Sequence, residues 1–237
     1  SDVCSSDLDT LKTKRGEYLY AQYFILCYHL NNNVIANEVK QSSRRLLRRP
    51  APRNDTHLFM YLFFDTETTG LPENKKAPIT NTENWPRMVQ LAMLLYTTDG
   101  MLVEEKNFIV KPYGYKIPSD VVKVHGITTE RAMKEGKELK IVLDEFLLLK
   151  EKATVLVSHN MAFDEKILGC EFFRVMQENP LVEMKKLCTM TNAKVINYCA
   201  LPTQYGSYKW PKLSELHSKL FGVAFEEAHN ASVDIEA

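Results

Sequence analysis

Residues 62–71 read Leu-Phe-Phe-Asp-Thr-Glu-Thr-Thr-Gly-Leu, an apolar run that leads into two acidic residues and then into a Thr-Thr-Gly turn. The apolar run predicts a β-strand, and residues i and i+2 of a strand project from the same face. Asp65 and Glu67 are therefore expected to point together from the strand end. Two like charges so close are costly unless a cation lies between them, which indicates a site for a hard ion such as Mg²⁺ or Mn²⁺. Taken alone, the tripeptide fits a solvated strand edge at least as well.

A second acid follows a second predicted strand. Residues 154–158 (Thr-Val-Leu-Val-Ser) form a short β-branched run typical of a buried strand, and residues 161–178 carry apolar residues at helical spacing. Asn160 is the expected N-cap of this helix. Asp164 then falls in the first turn, near the sheet edge where α/β proteins gather their sites. By itself an acid at a helix start usually only complements the helix dipole.

A third acid lies near the end of the chain, where His229 precedes Asp234 by five residues. In one continuous helix the two side chains would lie roughly 140° apart. If Asn230 or Ser232 caps the helix instead, His229 lies in the preceding loop while Asp234 lies in the opening turns. Both side chains can then face one cavity.

Together these segments resemble the DEDDh family of 3′–5′ exonucleases, DnaQ-like proteins that include the proofreading epsilon subunit of bacterial DNA polymerase III. The similar segments are residues 65–71, residues 159–164, and His229 through Asp234. A Val-His-Gly-Ile-Thr segment at residues 124–128 also looks like one that the family carries. The resemblance covers about residue 59 to the last residue, with all four segments in the family's order.

The resemblance implies a role for each of these residues. Asp65, Glu67, Asp164 and Asp234 would be the metal ligands, holding two ions, Mg²⁺ or Mn²⁺, about 3.5–4 Å apart. His229 would accept the proton of the attacking water, because its ordinary pKa lies near working pH. His125 and, less specifically, Asp120 match positions that contact substrate. The alternative for His125 is a histidine that makes a local hydrogen bond at a helix end.

The fold class predicted for residues 58–237 is α/β: a mixed β-sheet flanked by helices, consistent with the ribonuclease H-like fold that the resemblance implies. Expected strands cover residues 59–65, 88–97, a third run ending at 110, 154–158 and about 187–190. Residues 1–57 are expected to be a leader outside the fold, disordered or not native, because periodicity is poor and Pro50-Ala51-Pro52 interrupts the chain. Its arginine cluster could otherwise be a phosphate-binding arm. The last helix is expected to be cut short at residue 237.

The composition of the chain limits the kinds of partner that it is expected to bind. The 30 basic and 30 acidic residues give a formal net charge of zero, so the chain lacks the global basic field of avid nucleic-acid binders. This suits an enzyme that holds a few terminal nucleotides better than one that coats a duplex. For the single strand, the resemblance favours DNA over RNA. Five cysteines without metal-ligand spacing, and the lack of a membrane-length apolar run, predict a cytoplasmic protein.

The sequence therefore predicts a metal-dependent exonuclease that hydrolyses single-stranded DNA from its 3′ end. An RNA-trimming enzyme of the same family shares this chemistry and stays open, because contacts to the 2′-hydroxyl separate the two. A catalytically silent module that docks a DNA polymerase is the alternative from another class. Association with a polymerase is possible for the active enzyme as well.

Overall fold

A computed structural model describes residues 59–223 and 231–236 of this chain. Five strands are present there: β1 (Met60–Thr68), β2 (Met88–Thr97), β3 (Leu102–Ile109), β4 (Val155–Ser158) and β5 (Lys185–Cys188). The helices of the same ranges are α1 (Ser119–His125), α2 (Thr129–Glu135), α3 (Leu139–Lys152), α4 (Met161–Met176), α5 (Ala193–Cys199), α6 (Leu213–Phe221) and α7 (Ala231–Glu236). A 3-10 turn, Thr82–Asn84, precedes β2.

The strands form one sheet in the order β3-β2-β1-β4-β5. β1 pairs with β4 in parallel, with Leu62 opposite Leu156, and β4 pairs with β5 in parallel. β2 and β3 are joined by a connection too short for a parallel crossover and are therefore antiparallel. The predicted mixed sheet flanked by helices is confirmed.

The apolar core connects the central strand to two helices through aromatic rings. Phe64 of β1 lies 5.7 Å from Phe146 of α3 in an edge-to-face arrangement. Phe146 in turn lies 5.9 Å from Phe172 of α4. All three side chains are almost fully buried, and such rings add directional attraction to the burial of their area. This packing connects α4, which carries Asp164, through α3 to the strand that carries Asp65.

The described residues divide into two compact units: the first holds residues 59–60 and 96–103, and the second holds the remaining described residues. In the described part of the first unit, the chain turns at Thr97–Met101. The Thr97 amide donates to the Met101 carbonyl at 3.0 Å, and Gly100 has a φ of +78°. Asp99 and Gly100 lie within this turn, between β2 and β3. The second unit contains every described residue of the candidate site.

Two expectations about the elements need correction. β5 begins at Lys185, two residues before the predicted start, because its register pairs Lys185 with Val155. β5 lies at the edge of the sheet, and its pairing with β4, not an apolar pattern, defines where it begins. The short helices α2, α5 and α6 were not predicted individually; the side chains of Thr128 and Asn192 cap α2 and α5, and the Glu215 carboxylate accepts from the Lys212 amide at the start of α6.

Two predictions about the domain organisation are not tested by the described residues. The leader of residues 1–57 lies outside them, and the domain boundary near residue 57 stays a prediction. Within residues 59–223 and 231–236, no helix combines the length and apolar character needed to cross a bilayer.

Candidate active site

Three carboxylates converge at the end of β1. Oxygens of Asp65, Glu67 and Asp234 all lie within 4.8 Å of one another, and all three residues are half-buried. Asp65 and Glu67 are two residues apart on the strand, so the pleat directs both to one side, as predicted. Asp234 reaches them from the first turn of α7. This tertiary contact joins residues 167 positions or more apart in the chain.

Mutual repulsion and burial make these acids hard to ionise. Burial raises the pKa of Asp65 well above its ordinary value, and the nearby charges of Asp164, Glu67 and Asp234 raise it further. Burial, with the charges of Asp234 and Asp164, raises the pKa of Glu67 to about 7. A bound cation would reverse this tendency by favouring the ionised forms. An all-oxygen donor set of this kind fits a hard divalent ion.

Asp164 lies beside this group and not within it. Its two carboxylate oxygens accept hydrogen bonds from hydroxyls, Thr66 Oγ1 at 2.7 Å and Ser158 Oγ at 2.6 Å. Burial raises the pKa of Asp164 to about 6, although these hydrogen bonds oppose the rise. Its charge nevertheless raises the pKa of both Asp65 and Glu67, which places it next to the acids of β1. Asp164 could serve as a fourth ligand from this position.

Asn160 is the N-cap residue of α4, as predicted, although it does not cap the helix through its side chain. Its backbone is left-handed, with φ of 78°, and its carbonyl accepts from the Phe163 amide at 2.8 Å. Asparagine tolerates this conformation better than most residues. Asn160 therefore turns the chain sharply from β4 into α4, which brings Asp164 back over the strand ends.

The turn after β1 is anchored to the segment that leads into β2. The Thr69 amide donates to the Arg87 carbonyl at 2.9 Å, and the Arg87 amide donates to Thr69 Oγ1 at 2.9 Å. Thr68 Oγ1 also donates to the Gly70 carbonyl at 2.7 Å. Hydrogen bonds to Arg87 and hydrogen bonds within the turn itself therefore hold the residues that directly follow Glu67.

The predicted substrate-contacting residues occupy different environments. His125, the last residue of α1, is buried; its Nδ1 accepts from the Ile127 amide at 3.1 Å. Burial lowers the pKa of His125, and the nearby backbone of Thr68 opposes the shift. His125 therefore lies against Thr68, the last residue of β1 and the one that follows Glu67. It also makes the local hydrogen bond that the alternative interpretation expected. Asp120 is exposed in the first turn of α1.

The predicted base and one predicted cap lie outside the described residues. His229 and Asn230 belong to residues 224–230, so their roles stay predictions. Ser232 lies inside α7, and the helix begins before it.

Three features in and around the site were not predicted from the sequence. The hydroxyls of Thr66 and Ser158 belong to strands, where threonine and serine are ordinary residues. His159 Nδ1 lies 2.9 Å from Thr189 Oγ1 beyond β5. Glu171 of α4 is fully buried and accepts from Arg87 Nε at 3.0 Å and from the Met88 amide at 2.9 Å. It also forms an ion pair with Arg174 at 2.9 Å. An acid in an apolar helical stretch could have been suspected of having such a partner.

The chain is similar to known proteins over the region that contains this site. Residues 62–237 match the RNase_T family model, which describes exonucleases. Among curated relatives, the PolC-type DNA polymerase III of Mycoplasmopsis pulmonis is 32% identical over 176 residues, which are 73% of this chain and 10% of the relative. The PolC-type DNA polymerase III of Streptococcus pneumoniae is 32% identical over 75% of this chain and 10% of its own length. The chain thus spans about a tenth of these relatives.

Solved structures share the fold. E. coli Exonuclease I in complex with a dA16 oligonucleotide superposes with a TM-score of 0.58 at 19% identity, over 75% of this chain and 38% of the other. Its complex with a dT13 oligonucleotide gives a TM-score of 0.59, also at 19% identity, over 75% of this chain and 39% of the other. At this identity the likeness supports the arrangement of the chain and no residue role.

Proposed function

Because the chain belongs to the RNase_T exonuclease family, with the fold of the DnaQ-like 3′–5′ exonucleases, we propose that it hydrolyses phosphodiester bonds at the 3′ end of single-stranded DNA with two bound divalent ions, Mg²⁺ or Mn²⁺. The observation that carries this proposal is the convergence of Asp65, Glu67 and Asp234 oxygens within 4.8 Å. A group of acids that repel one another has no structural benefit without a cation, because each raised pKa records a cost of holding charge there.

Asp65, Glu67 and Asp234 would hold the cations, with Asp164 completing the donor set. Divalent ions in such a site supply an activated water and stabilise the leaving oxygen. The chain's own part is to keep these carboxylates converged before substrate arrives. The Thr66 and Ser158 hydroxyls hold Asp164 in one orientation, and the Thr69–Arg87 pair holds the turn beyond Glu67. Preorganisation of this kind removes reorganisation cost from the reaction.

His229 is proposed to accept the proton of the attacking water. An imidazole is suited to this at neutral pH, whereas carboxylates engaged with a cation are poor bases. His125 and Asp120 are proposed to contact the terminal nucleotide. The position of His125 against the Thr68 backbone supports its part, since the end of β1 is where a scissile phosphate would lie.

Single-stranded DNA is the proposed substrate because the Exonuclease I structures with this fold contain DNA oligonucleotides. The PolC-type relatives are DNA polymerases, which supports a role in replication or repair and the proximity of a polymerase. The neutral overall charge supports the recognition of a strand end in preference to an extended duplex.

The test uses a 5′-labelled single strand of DNA, a matched RNA strand, and both with Mg²⁺, Mn²⁺ or EDTA. The proposal expects a ladder of products shortened from the 3′ end, faster on DNA, absent in EDTA and absent in the Asp65→Ala variant. A ladder on RNA alone would assign the RNA-trimming activity instead. An inactive wild-type protein that still binds a polymerase would assign a silent docking module.

A further inference from the structure

A short hairpin between α5 and α6 exposes three aromatic side chains. Tyr205 is 84% exposed, Trp210 is 60% exposed and Tyr208 is 48% exposed. Exposing a large aromatic side chain to water costs free energy. Several such side chains close together in the chain therefore indicate an interaction surface. We call residues 201–211 the aromatic hairpin.

The aromatic hairpin is an ordered turn. Thr203 donates its amide to the Ser207 carbonyl at 2.8 Å, and the Lys209 amide donates to the Leu201 carbonyl at 2.9 Å. Pro202 and Tyr208 are bridge partners across the turn. Gly206 takes a φ of +77°, a conformation that side chains disfavour. The hairpin thus holds its aromatic side chains at defined places, which lowers the entropy lost when a ligand binds.

The region around the hairpin is basic although the whole chain is neutral. Residues 184–214 contain five lysines (Lys185, Lys186, Lys194, Lys209 and Lys212) and no aspartate or glutamate, although Lys186 pairs with Glu165 and Lys209 pairs with Glu215, both outside this stretch. The full chain has 30 basic and 30 acidic residues. Exposed aromatic groups among lysines are the composition of surfaces that bind single-stranded nucleic acid, in which bases stack on rings and cations face phosphates. This charge favours a polyanion over an apolar protein partner.

The hairpin is connected to the candidate active site. Its last residue, Pro211, is buried, and its backbone lies against the His159 ring and opposes the lowering of the pKa of His159 by burial. His159 directly follows Ser158, whose hydroxyl donates to Asp164 at 2.6 Å. The base of the hairpin therefore lies against His159, and the residue before His159 donates a hydrogen bond to Asp164, a proposed metal ligand.

We propose that the aromatic hairpin is a stacking platform for the single strand that leads into the active site, with Tyr205 and Trp210 as the base-contacting residues. The proposal rests on the proposed exonuclease function for its direction and adds the part that holds the strand upstream of the terminal bond. Stacking is tolerant of sequence, because every base has an aromatic face. Binding through the platform is therefore expected to depend on strand length and little on base identity.

The experiment compares Tyr205→Ala, Trp210→Ala and the double variant with wild type, in the full 237-residue chain. Tyr205→Phe and Trp210→Phe keep an aromatic ring, and Leu148→Ala truncates an exposed apolar side chain on α3. These three are the matched controls. Affinity for fluorescein-labelled dT15 is measured by anisotropy in Ca²⁺, and turnover is measured on dT15 and on the p-nitrophenyl ester of thymidine 5′-monophosphate. The ester is one nucleotide long and is too short to reach the platform.

Each alanine variant is expected to lose about 5- to 100-fold in affinity for dT15, because it removes the aromatic ring on which one base stacks. KM on dT15 rises, turnover of the ester stays at the wild-type value, and the three controls stay near wild type. Trp210 fluorescence in the wild type is quenched by dT15. Unchanged dT15 affinity in the double variant overturns the platform, as does an equal loss on dT15 and on the ester.

Failure of the platform differs from failure of the proposed function. A wild-type chain that cleaves neither DNA nor RNA but binds dT15 through Tyr205 and Trp210 would retain the platform and remove the exonuclease proposal. A double variant that binds dT15 normally but no longer associates with a polymerase would make the hairpin a protein-docking surface and overturn the platform.

Discussion

The hydroxyl of Thr66 on β1 donates a 2.7 Å hydrogen bond to the carboxylate of Asp164 on α4. Ser158, at the end of β4, donates to the other oxygen of the same carboxylate. Two parallel strands and the helix that follows the second one therefore meet at one acid. The site depends on the pairing of β1 with β4, because a shift of either strand would break one of these bonds.

Replacement of Thr66 by valine should impair both stability and activity. The variant loses a hydrogen bond to a charged group, which contributes about 1.5–3 kcal/mol. It also raises the pKa of Asp164 further, since a donor that stabilises the ionised carboxylate is gone. Urea denaturation and turnover measured from pH 6 to 9 test this. Thr66→Ser is the control that retains the hydroxyl; wild-type behaviour of Thr66→Val would mean that the bond is incidental.

Asp65→Ala should abolish metal-dependent activity while the fold survives. The charges of Asp164, Glu67 and Asp234 all act on Asp65. Replacing Asp65 therefore removes a central ligand of the proposed metal site. The metal-free variant should melt at the same temperature as wild type or higher, because one of several repelling acids is removed. Exonuclease assays and thermal melts without metal measure both effects. Retained turnover would exclude Asp65 from the site.

Stability of the metal-free protein should fall as pH rises from about 4 to about 7. Glu67 and Asp164 have folded-state pKa values of about 7 and about 6, above their ordinary values. Acids with raised pKa values contribute their full stability below the unfolded pKa and lose it as pH rises through the folded pKa. Mn²⁺ should restore more stability at pH 8 than at pH 5. Melting curves at both pH values, with and without Mn²⁺, check this; a pH-independent metal effect would contradict it.

His229→Ala should separate proton transfer from metal binding. The variant is expected to lose about 10²–10⁴-fold in turnover, the usual contribution of a positioned general base. Its Mn²⁺ affinity should stay near wild type, because hard ions gain little from imidazole. Asp234→Ala should instead weaken metal binding together with turnover. Calorimetric titration of Mn²⁺ into both variants decides; equal loss of metal binding would make His229 a ligand.

Glu171→Gln should destabilise the protein although Glu171 is not part of the acidic group. The fully buried carboxylate pairs with Arg87 and Arg174, and Arg174 also donates to the Trp85 carbonyl at 2.6 Å. Removing one partner of a buried pair typically costs about 3–5 kcal/mol. Glu135→Gln, which affects an exposed pair with Arg131, should cost about 0–0.5 kcal/mol. Similar stabilities of the two variants in urea would show that the buried network contributes little.

The sequence by itself determined the local features of the site. Alternation along a strand is a property of the backbone, so the common direction of Asp65 and Glu67 followed from their spacing. The bounds of β2 (Met88–Thr97) also agree with the strand predicted over residues 88–97. The order of the motifs indicated the family, which the match over residues 62–237 confirms.

Only the tertiary structure decided what converges. Asp234 lies beside Asp65 because α7 packs at the end of β1, and no local pattern encodes a distance between residues so far apart in the chain. The hydroxyl bonds to Asp164, the left-handed turn at Asn160, and the start of β5 at Lys185 depend in the same way on strand register and helix packing. Local conformational preferences act over a few residues, whereas a carboxylate's partners and its pKa depend on everything that the fold brings near it.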